Sequence, residues 1–202
     1  MSFRLGPVAV AVGAGYLLGT IPSADLATRL ATTDVSNLRA TGSGNPGATN
    51  AAAVLGARWG LAVLAADMGK GAIAGAVRRL IAGSAGACAA ATASIAGHIA
   101  PVWKRGRGGK GVATSAGACL TVFPAFFPID AAVAVLGATR LRDAEKATRL
   151  SCAAWVAASL LWWRRQLPNA WGPPAGPSTA VFALAGSSMI LTKFRLSRKP
   201  ME

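Results

Sequence analysis

The chain has 202 residues, of which 53% are hydrophobic and only 14% charged, and its mean hydropathy is +0.45. A soluble domain of this length needs a largely polar surface, which this composition does not supply. The net charge is +14, but the basic residues flank apolar runs and have few aromatic residues among them. That pattern argues against a nucleic-acid-binding protein and favours contact with anionic membrane headgroups.

The charged residues fall in clusters between uncharged runs, and about 20 apolar residues suffice to cross a bilayer. In chain order, the predicted spans cover residues 5–21, 57–77, 85–103, 112–138, 150–163 and 178–191. No small-residue cleavage site follows the first span, so we interpret it as a retained helix rather than a signal peptide. The sequence therefore predicts an all-α, polytopic transmembrane helical bundle that forms one domain over residues 1–202.

The number of spans depends on residues 112–138, which form one span or, if Pro124 and Pro128 break them, two short bent helices. Of the 20 Lys and Arg outside the spans, six spans place nine on the side of the glycine-rich loops (42–50 and 106–114) and eleven opposite. Seven spans place fifteen on that side and five opposite. The positive-inside rule therefore favours seven spans, although two passes in 27 residues are short for a bilayer.

The cysteines and the histidine do not form a metal-binding pattern. Cys88, Cys119 and Cys152 lie in Ala-rich apolar stretches, their number is odd, and no C-x-x-C occurs. We predict that they are core residues rather than disulfide partners or zinc ligands. His98 is the only histidine, so the sequence predicts no metal site and no cofactor.

The first glycine-rich loop, residues 42–50, follows Arg39 and is dense in hydrogen-bond donors. Its glycines allow backbone N–H groups to approach an anion closely. The predicted phosphate contacts are Arg39, Gly42, Ser43, Gly44, Asn45, Gly47, Thr49 and Asn50. The spacing also matches G-x-G-x-x-G, but a dinucleotide site needs a βαβ unit that an all-α protein lacks. A plain interhelical turn is the remaining alternative.

The second loop, residues 106–114, resembles a Walker A loop, but Gly111 stands where Ser or Thr would bind magnesium. A nucleotide hydrolase is therefore not predicted. A lysine in a glycine cradle at a helix start does suit a phosphate dianion. The predicted contacts are Lys104, Gly108, Gly109, Lys110, Gly111 and Thr114. The alternative is a positive-inside anchor, which explains the charge but not the interleaved glycines.

Three more polar residues lie within or beside apolar spans. His98 lies six residues before Lys104, the first predicted phosphate contact of the second loop. It is a general base, a phosphate contact or a packing residue. Asp67 and Lys70 share one helical face within a span, and charges in a membrane tend to be paired or functional. They form either a structural or a functional pair.

At these residues the chain resembles the bacterial acyl-phosphate:glycerol-3-phosphate acyltransferases, which are small polytopic inner-membrane enzymes. The similar stretches are residues 18–23 (L-G-T-I-P-S), Arg39 with residues 42–50, Asp67 with Lys70 and Gly71, and His98 with Pro101 and residues 108–114 (G-G-K-G-V-A-T). The soluble-type H-x-x-x-x-D acyltransferase motif is missing, because Trp103 stands five residues after His98.

The resemblance implies transfer of a fatty acyl group from acyl phosphate to the 1-hydroxyl of sn-glycerol 3-phosphate, giving lysophosphatidic acid and phosphate, the first step of phospholipid synthesis. It implies acyl phosphate, glycerol 3-phosphate and membrane lipids as partners, no metal, and an inner-membrane location. The charge pattern argues against nucleic acid as a partner, and the charge count places both loops on the cytoplasmic side. It assigns phosphate binding to the loops and catalysis to Ser43, Lys110 and His98, through positioning and charge neutralisation. No protein partner is indicated.

The C-terminal part departs from the family pattern. The family ends in an H-R-x-N-I-x-R-L-like segment that helps hold the acceptor, whereas residues 192–199 here keep only the basic character. We expect Lys193, Arg195 or Arg198 to replace the lost contacts. The family's late Ser, after T-R-x-x, has two imperfect counterparts, Asp143 and Ser151.

Two alternatives to an active acyltransferase therefore stay open. The first is a paralogue that binds acyl phosphate but is inactive or uses another acceptor. The second is a transporter of a phosphorylated solute, in which Asp67 and Lys70 would line the pathway.

Overall fold

The computed structural model describes residues 5–31, 37–141 and 143–197, and the regular structure in these ranges is helical. The α-helices are α1 (Leu5–Gly19), α2 (Ser23–Leu30), α3 (Ala48–Leu55), α4 (Ala57–Ile99), α5 (Val112–Val122), α6 (Phe127–Leu136), α7 (Ala144–Arg165) and α8 (Pro177–Leu196). Short 3₁₀ turns cover Val102–Lys104 and Pro124–Phe126, and a π turn covers Gly137–Leu141. The predicted all-α architecture is confirmed.

Helix α4 is continuous over 43 residues, but it is not straight. A straight helix would place residues 67 and 98 about 46 Å apart at a rise of 1.5 Å per residue. Instead, Asp67 Oδ1 lies 3.5 Å from His98 Nδ1. The helix therefore folds back on itself, and Gly83, with φ of +63°, has the backbone freedom that such a reversal requires. The two arms of α4 correspond to the predicted spans over residues 57–77 and 85–103.

Small residues let α1 and α5 approach α4 closely. A Cβ atom on Gly19 of α1 would lie 2.1 Å from the carbonyl oxygen of Ser94, in the second arm of α4. A Cβ atom on Gly71, in the first arm, would lie 2.1 Å from the carbonyl oxygen of Thr114 in α5. Close backbone approach through glycine is typical of helices that pack in lipid.

Residues 112–138 form two helices, because α5 ends at Val122 and a 3₁₀ turn precedes α6. Asn169 holds the break: its side-chain amide donates to the Val122 carbonyl (3.0 Å) and accepts from the Ala125 N–H (3.4 Å). Helix α6 then runs back along α7, with the Asp130 carboxylate hydrogen-bonded to the Ser151 hydroxyl. The chain thus leaves along α5 and returns along α6.

An aromatic cluster joins the α5–α6 connection to α7 and α8. Ring centroids lie 5.9 Å apart for Phe123 and Phe126, 6.3 Å for Phe126 and Trp155, and 4.9 Å for Trp155 and Phe182. The three cysteines are free and buried in the same hydrophobic cluster as these rings, which confirms that they are core residues. This packing sets the position of α8 along the bundle axis, so that the last turn of α8 lies beside the second glycine-rich loop.

In the described residues the chain runs the length of the bundle seven times: along α1, both arms of α4, α5, α6, α7 and α8. This agrees with the seven-span arrangement that the charge count favours. Among the described residues, three stretches are long and apolar enough to cross a membrane by themselves, namely Gly6–Leu30, Gly83–Lys104 and Pro124–Leu141. Helix α5 (Val112–Val122) is also apolar but shorter.

Candidate phosphate-binding site

The two glycine-rich loops and the last turn of α8 enclose a cavity of about 350 Å³, here called the basic cavity. Its lining residues are Arg39, Ser43, Gly44, Asn45, Pro46, Arg107, Gly108, Lys110, Lys193 and Ser197. Four of these described residues are basic and none is acidic. Because several cations converge from separate segments without a counter-charge in the lining, the basic cavity is suited to a phosphate-bearing molecule.

Asn50, buried in the first turn of α3, shapes the first loop. Its side-chain N–H groups donate to the carbonyls of Leu38 (2.9 Å) and Thr41 (3.1 Å), and its oxygen accepts from the Ser43 N–H (2.9 Å). Gly42 has φ of +57°, and a Cβ there would lie 2.2 Å from the Asn50 oxygen. Asn50 therefore organises the loop from within, and the Ser43 side chain is left exposed at the basic cavity.

The second loop folds back against the end of α4. The N–H of Gly108 donates to the Ile99 carbonyl and that of Gly109 to the His98 carbonyl, both at 3.1 Å. These bonds satisfy carbonyls that the helix end leaves unpaired. A Cβ on Gly108 would lie 1.9 Å from the His98 oxygen, so the contact requires glycine. The N–H groups of Gly108 and Gly109 are thus bonded within the protein, and their role as phosphate contacts stays a prediction.

Lys110 connects the second loop to α8. Its ammonium nitrogen lies 4.1 Å from the centre of the Phe194 ring, within cation–π range. Burial lowers the pKa of the Lys110 ammonium from its ordinary value, and the negative charge of Glu145 partly offsets that shift. The next residue, Gly111, has φ of +85° and is the N-cap residue of α5.

Lys193, in the last turn of α8, donates to the Gly106 carbonyl (3.4 Å) and lines the basic cavity. Arg195 is exposed and does not line it, and Arg198 lies outside the described residues. Of the two candidates that the structure describes, Lys193 and Arg195, Lys193 is therefore the one placed at the cavity.

A second, smaller cavity of about 30 Å³ lies behind the second loop and shares Arg39, Pro46 and Gly108 with the basic cavity. Asp67 and Lys70 form a buried ion pair here, with 2.8 Å between Oδ1 and Nζ. The Lys70 ammonium also donates to the Ile21 carbonyl (3.1 Å). A cavity of this volume holds about one water molecule.

His98 lines this smaller cavity and not the basic cavity. Its Nδ1 faces Asp67, and a Cβ on Gly109 would lie 2.3 Å from its Nε2. The buried ring is therefore enclosed between α4 and the second loop. This position suits support of the loop better than direct contact with a ligand in the basic cavity.

Asp25, in the first turn of α2, was not among the residues singled out from the sequence. Its Oδ1 lies 2.5 Å from an Arg39 terminal nitrogen and its Oδ2 lies 2.9 Å from Lys104 Nζ. The Arg39 Nε donates in turn to the Arg107 carbonyl (3.1 Å). In the sequence, Asp25 is an isolated acid that belongs to no motif. The basic residues on either side of it were the one signal that could have pointed to its role.

The structure divides the predicted site residues into three groups. Those at the basic cavity are Arg39, Ser43, Gly44, Asn45, Gly108 and Lys110. Those at the smaller cavity are Asp67, Lys70, His98, Lys104 and Gly109, with Arg39 and Gly108 shared. Those lining neither cavity are Gly42, Gly47, Thr49, Asn50, Gly111 and Thr114. Thr49 is exposed on α3, and Thr114 is fully buried against the first arm of α4.

The comparisons with known proteins agree on one family. The glycerol-3-phosphate acyltransferase family profile matches residues 9–199. Glycerol-3-phosphate acyltransferases of Exiguobacterium sibiricum and Nitrobacter winogradskyi are 45% and 44% identical over 113 and 114 residues, 56% of this chain in both cases. These alignments cover 54% and 57% of the relatives, so the chain spans about half the length of the curated relatives it matches.

Two crystal structures of PlsY, an integral membrane glycerol 3-phosphate acyltransferase, share the fold. The glycerol 3-phosphate form has 28% identity and a TM-score of 0.76, covering 95% of this chain and 90% of that one. The lysophosphatidic acid form has 26% identity and a TM-score of 0.75, covering 95% and 89%. Since the family profile extends over nearly the whole sequence and the fold agrees, this chain belongs to the glycerol-3-phosphate acyltransferase family.

Proposed function

We propose that this protein transfers a fatty acyl group from acyl phosphate to the 1-hydroxyl of sn-glycerol 3-phosphate, giving lysophosphatidic acid and inorganic phosphate. The observation that carries the proposal is the convergence of four basic side chains on one cavity whose described lining contains no acid. Both proposed substrates carry a phosphate group, and a volume of about 350 Å³ accommodates both headgroups.

In the proposed reaction, the acceptor hydroxyl oxygen forms an ester bond with the acyl carbon, and the bond from that carbon to the phosphate oxygen breaks. The hydroxyl proton passes to a phosphate oxygen of a bound substrate. Arg39 and Lys110 neutralise the negative charge on the phosphate groups, and the exposed Ser43 hydroxyl donates to the donor phosphate. Holding the two substrates together supplies much of the acceleration.

Lys193 and Arg107 are proposed to bind the acceptor phosphate, since both line the basic cavity and Lys193 comes from the divergent C-terminal segment. His98 is proposed to act with Asp67 as a support for the second loop, because its carbonyl accepts from the Gly109 N–H. His98 would then affect activity through the position of the second loop, without contacting the substrate.

The proposed location is the inner membrane, with the basic cavity on the cytoplasmic face. The charge count supports this orientation, since the seven-span arrangement gathers fifteen of 20 Lys and Arg on the side of the glycine-rich loops. Anionic headgroups on that face would also favour these basic segments.

A phosphate-release assay tests the proposal. Purified protein given acyl phosphate and glycerol 3-phosphate should release phosphate and form lysophosphatidic acid. No release, alongside an active control enzyme, would exclude the proposed activity, and release only with another acceptor would indicate the acceptor-altered paralogue. A transporter is less well supported, because the smaller cavity beside Asp67 and Lys70 has a volume of only about 30 Å³.

Site variants test the residue assignment by complementation of a strain that lacks its own enzyme. We expect Ser43→Ala and Lys110→Ala to fail, because each removes a group that lines the basic cavity. Ser188→Ala is the control: Ser188 is exposed on α8, lines neither cavity and belongs to neither glycine-rich loop. Growth with both site variants would show that these residues are not the ones that carry the reaction.

A further inference from the structure

Asp25 bonds a basic residue just before each glycine-rich loop. One carboxylate oxygen contacts Arg39, which precedes the first loop, and the other contacts Lys104, which precedes the second. The two cations are 65 residues apart in sequence, and Asp25 belongs to neither loop. Its carboxylate therefore fixes the relative position of two segments that the backbone leaves independent.

The contacts of Asp25 also orient the Arg39 side chain. A guanidinium has five N–H groups in a planar fork. One terminal nitrogen of Arg39 bonds Asp25, and its Nε bonds the Arg107 carbonyl. Two protein contacts thus fix the plane of the guanidinium at the edge of the basic cavity, which Arg39 also lines.

The position of Asp25 lets it balance charge without occupying the basic cavity. Asp25 lines only the smaller cavity, whereas Arg39 lines both. Its negative charge therefore offsets the repulsion between Arg39 and Lys104 from behind the loops. Its side chain is only 18% exposed, so the interaction is less screened by solvent than an ion pair at the surface.

We propose that Asp25 is a positioning residue that holds Arg39 and the second loop in the geometry that binds phosphate. The inference rests on the proposed function for its place in catalysis, but the phosphate affinity of the basic cavity tests it without turnover. Removing the Asp25 charge frees Arg39 to rotate and lets the loops separate. Phosphate affinity then falls while the groups that touch the substrate remain present.

Calorimetric titration of purified protein with inorganic phosphate is the first measurement. For Asp25→Asn we expect the phosphate Kd to rise about tenfold, in line with loss of a charge-assisted hydrogen bond. Asp25→Glu, which keeps the charge on a longer side chain, should recover part of the affinity. Arg29→Gln is the matched control, since it removes an exposed charge from the same helix.

A double-mutant cycle with Lys104→Gln tests whether Asp25 acts through its partner. The two substitutions should be less than additive in phosphate Kd, because either one removes the same bridge. In kinetics, Asp25→Asn should raise KM for the phosphate-bearing substrates more than it lowers kcat. A purely structural role would instead lower the melting temperature and leave Kd and KM unchanged in the folded fraction.

The outcomes separate the two proposals. If wild type binds phosphate but shows no acyl transfer, the proposed function fails while the Asp25 inference is still decided by the titration. An unchanged Kd in folded Asp25→Asn overturns the inference even if wild type is active. If Asp25→Asn does not fold, Lys104→Gln breaks the same contact from the other side, and an unchanged Kd there overturns it equally.

Discussion

At the scale of single residues, the surroundings of Lys110 lead to a testable pH dependence of phosphate binding. Burial lowers the pKa of its ammonium, and the Phe194 ring lies 4.1 Å away. A lysine with a lowered pKa is charged below that pKa and loses its charge as the pH rises through it. Phosphate binding that depends on Lys110 is therefore complete at lower pH and is lost on the alkaline side.

We predict that Lys110→Arg moves the alkaline decline of activity to higher pH, because a guanidinium stays charged throughout that range. The measurement is the shape of kcat/KM against pH for each protein, normalised to its own maximum, so that a lower absolute rate in the variant does not matter. Superimposable alkaline limbs would show that Lys110 does not set the decline.

The sequence indicates which residues lie near the cavity better than it indicates where their side chains point. Arg39, Ser43 and Lys110, which the glycine-rich loops singled out in the sequence, line one cavity. The sequence does not show that Asn50 points into the protein, because a donor-rich loop looks the same whether its donors face a ligand or its own carbonyls. Asp25 was missed for a related reason, since its partners come from distant segments.

At the scale of elements, the break between α5 and α6 depends on the loop that follows α7. Asn169 is buried and makes three hydrogen bonds, to the carbonyls of Val122 (3.0 Å) and Pro173 (2.6 Å) and from the Ala125 N–H (3.4 Å). The prolines explain why a single helix is interrupted. They do not decide between a kink and a reversal, which is why the sequence left six and seven spans open.

We predict that Asn169→Ala destabilises the protein by about 2–3 kcal/mol, because it leaves buried backbone groups at the break unpaired. Thermal unfolding in detergent should show a lower melting temperature, while KM at a permissive temperature stays near that of wild type. Ser188→Ala, at an exposed position on α8, is the control and should melt like wild type. A wild-type melting temperature for Asn169→Ala would mean that the break is held by other contacts.

At the scale of the whole molecule, seven passes place both glycine-rich loops, the start of α7 and the end of α8 at one end of the bundle. Within the described residues, apolar run length alone finds three spanning stretches, which correspond to α1 with α2, the second arm of α4, and α6 with its flanking turns. The first arm of α4, α5, α7 and α8 are not found by that criterion. The charge distribution favours seven passes, in agreement with the path of the chain through the bundle, since it depends on which loops share a side rather than on the length of each helix.

Labelling of single cysteines in intact cells tests this arrangement. The native cysteines are buried and free, so a background with alanine at Cys88, Cys119 and Cys152 is the starting protein, provided that it is active. We predict that a membrane-impermeant maleimide labels Pro174→Cys, which is exposed in the α7–α8 loop, without permeabilisation. Lys146→Cys, exposed near the start of α7, should be labelled only after permeabilisation.

The same two positions exchange sides if the chain crosses only six times, because residues 112–138 would then be a single span and every later segment would be inverted. Protection of Pro174→Cys together with labelling of Lys146→Cys in intact cells would therefore refute the seven-span arrangement. Thr49→Cys, in the first turn of α3, lies on the same side in both arrangements and serves as the permeabilisation control. Labelling of Thr49→Cys in intact cells would place the basic cavity on the outer face and contradict its proposed cytoplasmic orientation.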